Sequence, residues 1–416
     1  MHTQDFKMAT QSCLEQLSTE IIQAILSELS DIESLESAAL TGPCLYAAVK
    51  GAEFQIVKTV LLRQLGADIL HDALSTEVAM QRTTWQESEA ADFLSSYFCR
   101  NEQPFDSILN YTLSQALRLA RLHALIDVFT RDLTAPILAR NKPLPDRISE
   151  LQSPARPLSQ TERDRFFRTF YRFQIYCSLF GDPEECLYQD GPERNEVYFA
   201  HFSAWENEQL ACIHDYLLRV MTPAFRHVAE TDPDWISYFI LSNTGEDSIV
   251  QQYHLSRGLK HIHRFLAADT SEKRHGILSD KQNRKAHMAF FSDILREIHE
   301  FEQSEPLKDL TPDEEKELVH EPLYPDPDTG PEVVWRWAHK DQPCSRFVFS
   351  ILQAPLRQWA YVMWDHQRLE EWGVFERPWE FVDAETCFDQ WEARKEEEQL
   401  VFRERAKRLG VRNLWI

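Results

Sequence analysis

Apolar residues recur through the first fifty positions with the spacing of helices. Ile21, Ile22, Ile25, Leu26 and Leu29 fall at i, i+1, i+4, i+5 and i+8, a stripe along one side of a 3.6-residue period. Ser18 suits the N-cap, and Glu20 places a carboxylate in the first turn, where unpaired N–H groups and the macrodipole favour it. The helix is expected to stop near Ser30, where Ser30-Asp31-Ile32-Glu33 has capping-box spacing for a second helix carrying Leu35, Ala38, Ala39 and Leu40. Gly42 and Pro43 predict the end of that helix and the start of a third, which carries Leu45, Tyr46 and Val49 up to Gly51. A unit of about 40 residues stands at the limit of independent stability, so its surplus apolar surface predicts docking, either onto the rest of the chain or onto a partner.

The same periodicity runs through most of the remaining chain. Glu53 to Gly66 places Ile56, Val57, Val60, Leu61 and Leu65 on one face and ends on a glycine, a helix expected to join the N-terminal module to the body. Ala90 to Tyr97 and Leu113 to Arg131 read as further helices, the second with Leu117, Leu119, Leu122, Leu125 and Ile126 on its apolar face. Four prolines between residues 141 and 160 mark a connection. Ser159 and Glu162 then have capping-box spacing for a helix to Phe180, rich in core-like aromatics. Its arginines Arg163, Arg165, Arg168 and Arg172 are expected to pair with acidic residues of neighbouring helices. Ser203 and Glu206 repeat the capping-box spacing ahead of Leu210, Ile213, Leu217 and Leu218. Helices are also predicted for Val250 to Ala267, Lys285 to Phe301, Phe347 to Trp364 and Cys387 to Leu409, with Trp359, Tyr361, Trp364, Trp372 and Trp379 in one aromatic cluster.

Residues 303–332 differ in kind, with ten acidic side chains, two lysines and six prolines. They predict a solvated or mobile connection holding one short helix, Pro312 to Val319, capped by Thr311. The expected class is mainly α: a flexible stretch 1–13, a three-helix module 14–52, a helical body 53–302 without recognisable repeats, the acidic Pro-rich loop 303–332, and a Trp-rich helical segment 333–416 packing on the body.

Composition narrows the function classes. A formal net charge of −23 repels a phosphate backbone, which disfavours nucleic acid as a partner. Eight cysteines are dispersed without a CxxC pair, which points to reduced thiols and a cytoplasmic or nuclear protein. No run is long and uncharged enough to span a membrane.

A resemblance sits on the N-terminal module. Leu17-Ser18-Thr19-Glu20-Ile21-Ile22, followed by Ile25-Leu26 and Leu29, resembles the F-box signature, and Leu35, Leu40 and Tyr46 fall where that family places its second and third helices. Ser18 stands where the family usually has proline, and Leu45-Tyr46 where many members carry tryptophan; the Leu-Tyr ending is similar to that of F-box-like proteins of filamentous fungi. The resemblance covers roughly a tenth of the chain. It implies docking on a Skp-family adaptor and, through it, a cullin, with the body recruiting an unknown protein substrate for ubiquitination. It also implies that Leu17, Ile21, Ile22, Ile25, Leu26, Leu29, Leu35, Leu40 and Tyr46 divide between adaptor contact and the module's own packing.

Nothing in the chain competes as chemistry. His261 and His263 stand about 200° apart on a helix and cannot share a metal. There is no HExxH, GxSxG or phosphate-cradling glycine loop, and no spacing selects a general acid and base. The chain is therefore expected to be an adaptor subunit rather than a catalyst, without cofactor or metal. An interaction scaffold with no ubiquitin role, or a helical enzyme whose residues are scattered, are the alternatives.

Overall fold

A computed structural model describes residues 16–99, 111–140, 156–181, 197–231, 249–278, 291, 306–341, 353–376, 378–379, 397, 400–401 and 403–408. Among them the regular elements are helical and no β-strand occurs, as the periodicity predicts. The chain divides into two compact units, Met1–Glu77 with Cys99–Ala124, and Val78–Phe98 with Leu125–Ile416.

The first unit opens with α1 (Thr19–Ser27), α2 (Ile32–Leu40), α3 (Pro43–Gly51) and α4 (Glu53–Leu65). Gly42 and Pro43 separate α2 from α3 as expected. The cap of α2 differs from expectation: Asp31, not Ser30, is its N-cap, with Oδ1 accepting from the Ser34 amide at 2.7 Å. A carboxylate accepts more strongly than a hydroxyl, and Ser30 instead donates to Asp31 Oδ2 at 2.7 Å. These bonds hold the Asp31 carboxyl below its ordinary range, the one from the Ser30 hydroxyl most. The predicted face of α4 is buried throughout and packs on both α1 and α2, so the module continues past residue 52 to Gly66, whose φ of 81° ends the helix. The start of α5 (Ala67–Met80) buries Ile69, Leu70 and Ala73, and the first turns of α7 (Leu113–Arg140) bury Ala116, Leu119 and Leu122. Between these helices in sequence lies α6 (Glu87–Phe98), part of the second unit.

The second unit is organised on α8 (Gln160–Phe180), capped by the predicted Ser159/Glu162 box. Sixteen of its 21 residues are buried, so the charges it carries must be matched inside. Arg165 donates to Asp326 at 2.8 and 2.9 Å and to Asp365 at 3.2 Å, Arg172 to Glu206 at 2.9 Å, and Glu162 accepts two bonds from Arg368 at 2.6 and 2.7 Å. Alongside runs α9 (Ala204–Thr231), which buries Leu210, Ile213, Leu217 and Leu218 as predicted. The helix expected over 250–267 is broken into α10 (Ile249–Ser256) and α11 (Leu259–Leu266) at Gly258, which takes φ of 80°. α12 (Ser271–Leu278) follows, and the helix expected over 285–301 lies outside the described residues apart from Phe291.

The acidic segment corrects its expectation in part. Its short helix α13 (Pro312–Val319) forms with the Thr311 cap. Beyond it the chain is a strap bound to the unit rather than a solvated connection: the Leu323 amide donates to Glu206, Tyr324 is buried beneath Arg168 and Arg172, Asp326 holds Arg165, and Asp328 Oδ1 accepts from the amides of Gly330 and His366. The buried cations on α8 supply the counter-charges that composition alone does not reveal. α14 (Gly330–His339) then leads to a second difference. Where a long helix was expected over 347–364, the described part is a single turn α15 (Ala354–Arg357), a left-handed Ala360 at φ 53°, a 3-10 turn Tyr361–Met363 and α16 (His366–Glu371). Pro355 lies in the first turn of α15, where its missing N–H costs no helical hydrogen bond. Trp359, Tyr361, Trp364 and Trp372 do cluster, at ring separations of 5.1–6.4 Å, whereas Trp379 lies against Trp337. Of the predicted C-terminal helix, 397, 400–401 and 403–408 are described and helical.

Candidate docking surface

The nine residues of the F-box-like stretch separate into two sets. Ile22, Leu26 and Leu35 are buried, at 2%, 3% and 0% exposure, and Leu29 is half-buried. Leu17, Ile21, Ile25, Leu40 and Tyr46 are exposed, with Ile21 at 49%, Leu40 at 76% and Tyr46 at 51%. The split follows from helix geometry. Ile22 and Leu26 sit one turn apart on the face of α1 that meets α3 and α4, while Leu17, Ile21 and Ile25 recur every four residues about 100° away. α1 thus carries two apolar stripes, and the fold uses one of them.

Phe54, in the first turn of α4, is also exposed, at 48%. The sequence reading missed it because it shares the helical phase of Leu61 and Leu65, which periodicity assigns to the core; both of those are buried while Phe54 is not. Of the ten large hydrophobic side chains exposed among the described residues, six lie between Leu17 and Phe54. Scattered exposed apolar residues are ordinary, but their concentration in one small module makes it the candidate interaction surface of the described residues.

Polar contacts brace the module from behind. Gln23 Nε2 donates to the Ala48 carbonyl at 3.0 Å, tying α1 to α3. Arg63 on α4 donates to the carbonyls of Ser27 and Leu29 at 2.5 and 2.9 Å and to Glu28 at 3.0 Å. Gln64 Oε1 accepts from the Ile32 amide at 3.1 Å. Glu53 accepts from Lys50 at 2.8 Å and from the Leu113 amide at 2.8 Å. Burial would raise the Glu53 carboxyl, but these bonds and the Lys50 charge hold it below its ordinary value.

Elsewhere the strongest constellation is a buried one in the second unit. Arg357 donates to Asp215 at 2.6 Å and to Glu208 at 3.2 Å, and His214 bridges Asp215 and Gln252. Burial pushes the Glu208 carboxyl up to about 7 even though Arg357 opposes it. Arg357, Glu208 and His214 are each at most 2% exposed, so their polar groups meet each other rather than a substrate. Two grooves among the described residues lie away from this constellation, one lined by Trp205, Pro312, Val319 and Arg336 and another by His263, Arg264, Lys273 and Ile277. In the first, Arg336 is already engaged by Glu315 and Glu332. Among the described residues no cluster of three His, Cys, Asp or Glu side chains could hold a metal ion, and no helix is long and apolar enough to cross a membrane. Cys44, Cys99, Cys177 and Cys212 are free thiols, the last two buried with their thiol pKa pushed up by that burial.

Compared with known protein families, with curated proteins and with solved structures, the chain matches none.

Proposed function

We propose that the chain is an F-box-like substrate receptor, which docks a Skp-family adaptor through its N-terminal helices and presents a protein target to a cullin-RING ubiquitin ligase. The observation that carries this reading is the exposure of Leu17, Ile21, Ile25, Leu40 and Tyr46 on a module that buries Ile22, Leu26 and Leu35. A segment serving only the chain's own packing would bury both sets. The body's role as a target-binding domain rests on the same resemblance, and the chain itself performs no chemistry in this reading.

The test is co-purification of the full chain with a Skp-family adaptor. Ile25→Glu places a carboxylate in an interface that excludes water, at a cost of about 3 kcal/mol or more, and abolishes binding. Val401→Glu makes the same change at an exposed apolar residue outside the module and leaves binding intact. Gln23→Ala is unsuitable as a silent control, because Gln23 joins α1 to α3. Undiminished binding by Ile25→Glu would sink the interface.

A further inference from the structure

The apolar residues the module exposes lie on three helices, of which α1 and α2 meet α3 and α4 rather than each other. Ile21 and Ile25 lie in α1 and Leu17 just ahead of its Ser18 N-cap, whereas Leu40 ends α2 and Tyr46 lies in α3. α1 and α2 each pack on α3 and α4 rather than mainly on one another, and each is nine residues long, too short to be stable alone. Tyr46 is placed against α1 by the packing of α3, whereas the direct connection between α1 and the helix that ends on Leu40 runs through residues 28–31 and what holds that corner in place.

One helical turn of α4 holds both of its ends. The Glu28 and Leu29 amides take the carbonyls of Ile25 and Leu26, and Arg63 supplies an outside donor to those of Ser27, the last residue of α1, and Leu29 in the corner. The next residue, Gln64, accepts from the Ile32 amide, one of the orphan donors at the start of α2, beside the Asp31 cap on Ser34. Adjacent side chains of a single turn thus fasten the end of one helix and the beginning of the next.

We infer that Arg63 and Gln64 are positioning residues for partner docking, clamping the α1–α2 corner so that the α1 stripe and the Leu40–Tyr46 patch face one rigid partner together. The inference rests on the docking reading above but makes a claim about the module that can fail separately. A partner that buries both patches binds the clamped arrangement, and releasing the corner reduces the fraction of molecules that present it.

The experiment uses the full chain and two readouts: affinity for a Skp-family adaptor, and hydrogen exchange of the peptide covering residues 26–36. Arg63→Ala and Gln64→Ala are each expected to weaken adaptor binding about tenfold and to speed exchange of that peptide by a similar factor, as loss of one or two charge-assisted or buried hydrogen bonds implies. Their thermal midpoints stay near that of the parent chain, because the buried faces of α1–α4 are untouched. Gln64 is half-buried, so its variant separates positioning from direct contact by the more exposed Arg63. Glu28→Gln, which removes the ion pair but leaves the carbonyl bonds, keeps both readouts unchanged. Parent-like exchange over residues 26–36 in both alanine variants overturns the clamp whether or not the adaptor binds, and parent-like affinity in both overturns its role in docking. Failure of the parent chain to bind adaptor counts against the docking reading, and the exchange comparison then decides the clamp alone.

Discussion

Arg165 illustrates how this protein handles charge. It is 1% exposed, and its guanidinium meets both oxygens of Asp326, Asp365 Oδ1 and the Met363 carbonyl. Burial would raise the Asp326 carboxyl, but the Arg165 hydrogen bonds and charge keep it below its ordinary range. Arg165→Met leaves two carboxylates facing an apolar side chain and is expected to destabilise the second unit by about 3–5 kcal/mol in denaturant unfolding. A loss below about 1 kcal/mol would show that solvent reaches Asp326 and Asp365 and compensates them. That Arg165 and Arg172 pair with acid was legible in the sequence, since aromatic neighbours bury the helix and the chain is rich in carboxylates. Their partners were not, because Asp326 and Asp365 lie 161 and 200 positions away and no local pattern links them.

His339 makes the matching case for pH. It is fully buried, its Nδ1 lies 2.8 Å from the Trp335 carbonyl, and burial lowers its pKa from 6.5 to about 4. The folded value lies below the unfolded one, so between about 4 and 6.5 the unfolded chain binds more protons. The stability this contributes is complete above 6.5 and is lost as pH falls towards 4, about 3 kcal/mol across the window. Glu208, raised to about 7, has the opposite sign and loses stability as pH rises from its unfolded value to 7. A variant comparison isolates the histidine: His339→Asn can still donate to Trp335 but does not titrate, so its stability should depend less on pH between 4 and 6.5 than the parent's. Equal pH slopes would place His339 in a more hydrated setting than its burial indicates.

Among the elements, the caps predicted for α8 and α13 formed as expected and that of α2 moved by one residue, while helices predicted from apolar content alone did not always form as drawn. Ser159 with Glu162 and Thr311 with Glu314 begin helices where the spacing placed them, because a capping box is a local bond network that needs nothing distant. The break at Gly258 depends instead on a tertiary partner. Gln174 Oε1 accepts from the Leu259 amide at 2.8 Å, and a Cβ on Gly258 would lie 2.6 Å from the Gln174 amide nitrogen. Gly258→Ala therefore combines an unfavourable positive φ with displacement of the side chain that satisfies Leu259. A loss of about 2–3 kcal/mol is expected in thermal unfolding, whereas Gly276→Ala, inside α12 with nothing within 4 Å, is expected to gain up to about 1 kcal/mol. Comparable effects of the two substitutions would argue that the α10–α11 corner is not strained. The strap over residues 320–329 escaped the sequence reading for the same kind of reason: its acids look solvated until Arg165 and the amides of Gly330 and His366 are in place.

At the scale of the molecule, the helical class was legible throughout, since caps and 3.6-residue periodicity recur from α1 to α14. The proposed docking surface was legible as an excess of apolar residues but not as an allocation. The packing of α1 on α3 and α4 decides that Ile22 faces in and Ile21 faces out, and α4 lay beyond the boundary drawn at residue 52. The account holds that one small module carries an exposed apolar face for a partner while the second unit consumes its charged groups internally. Its most direct test is the dissociation constant of the full chain for a Skp-family adaptor, measured for the parent, Ile25→Glu and Val401→Glu. The account predicts equal affinity for the parent and Val401→Glu and a loss of about a hundredfold or more for Ile25→Glu. Equal affinity of all three, or no binding by the parent, would contradict it.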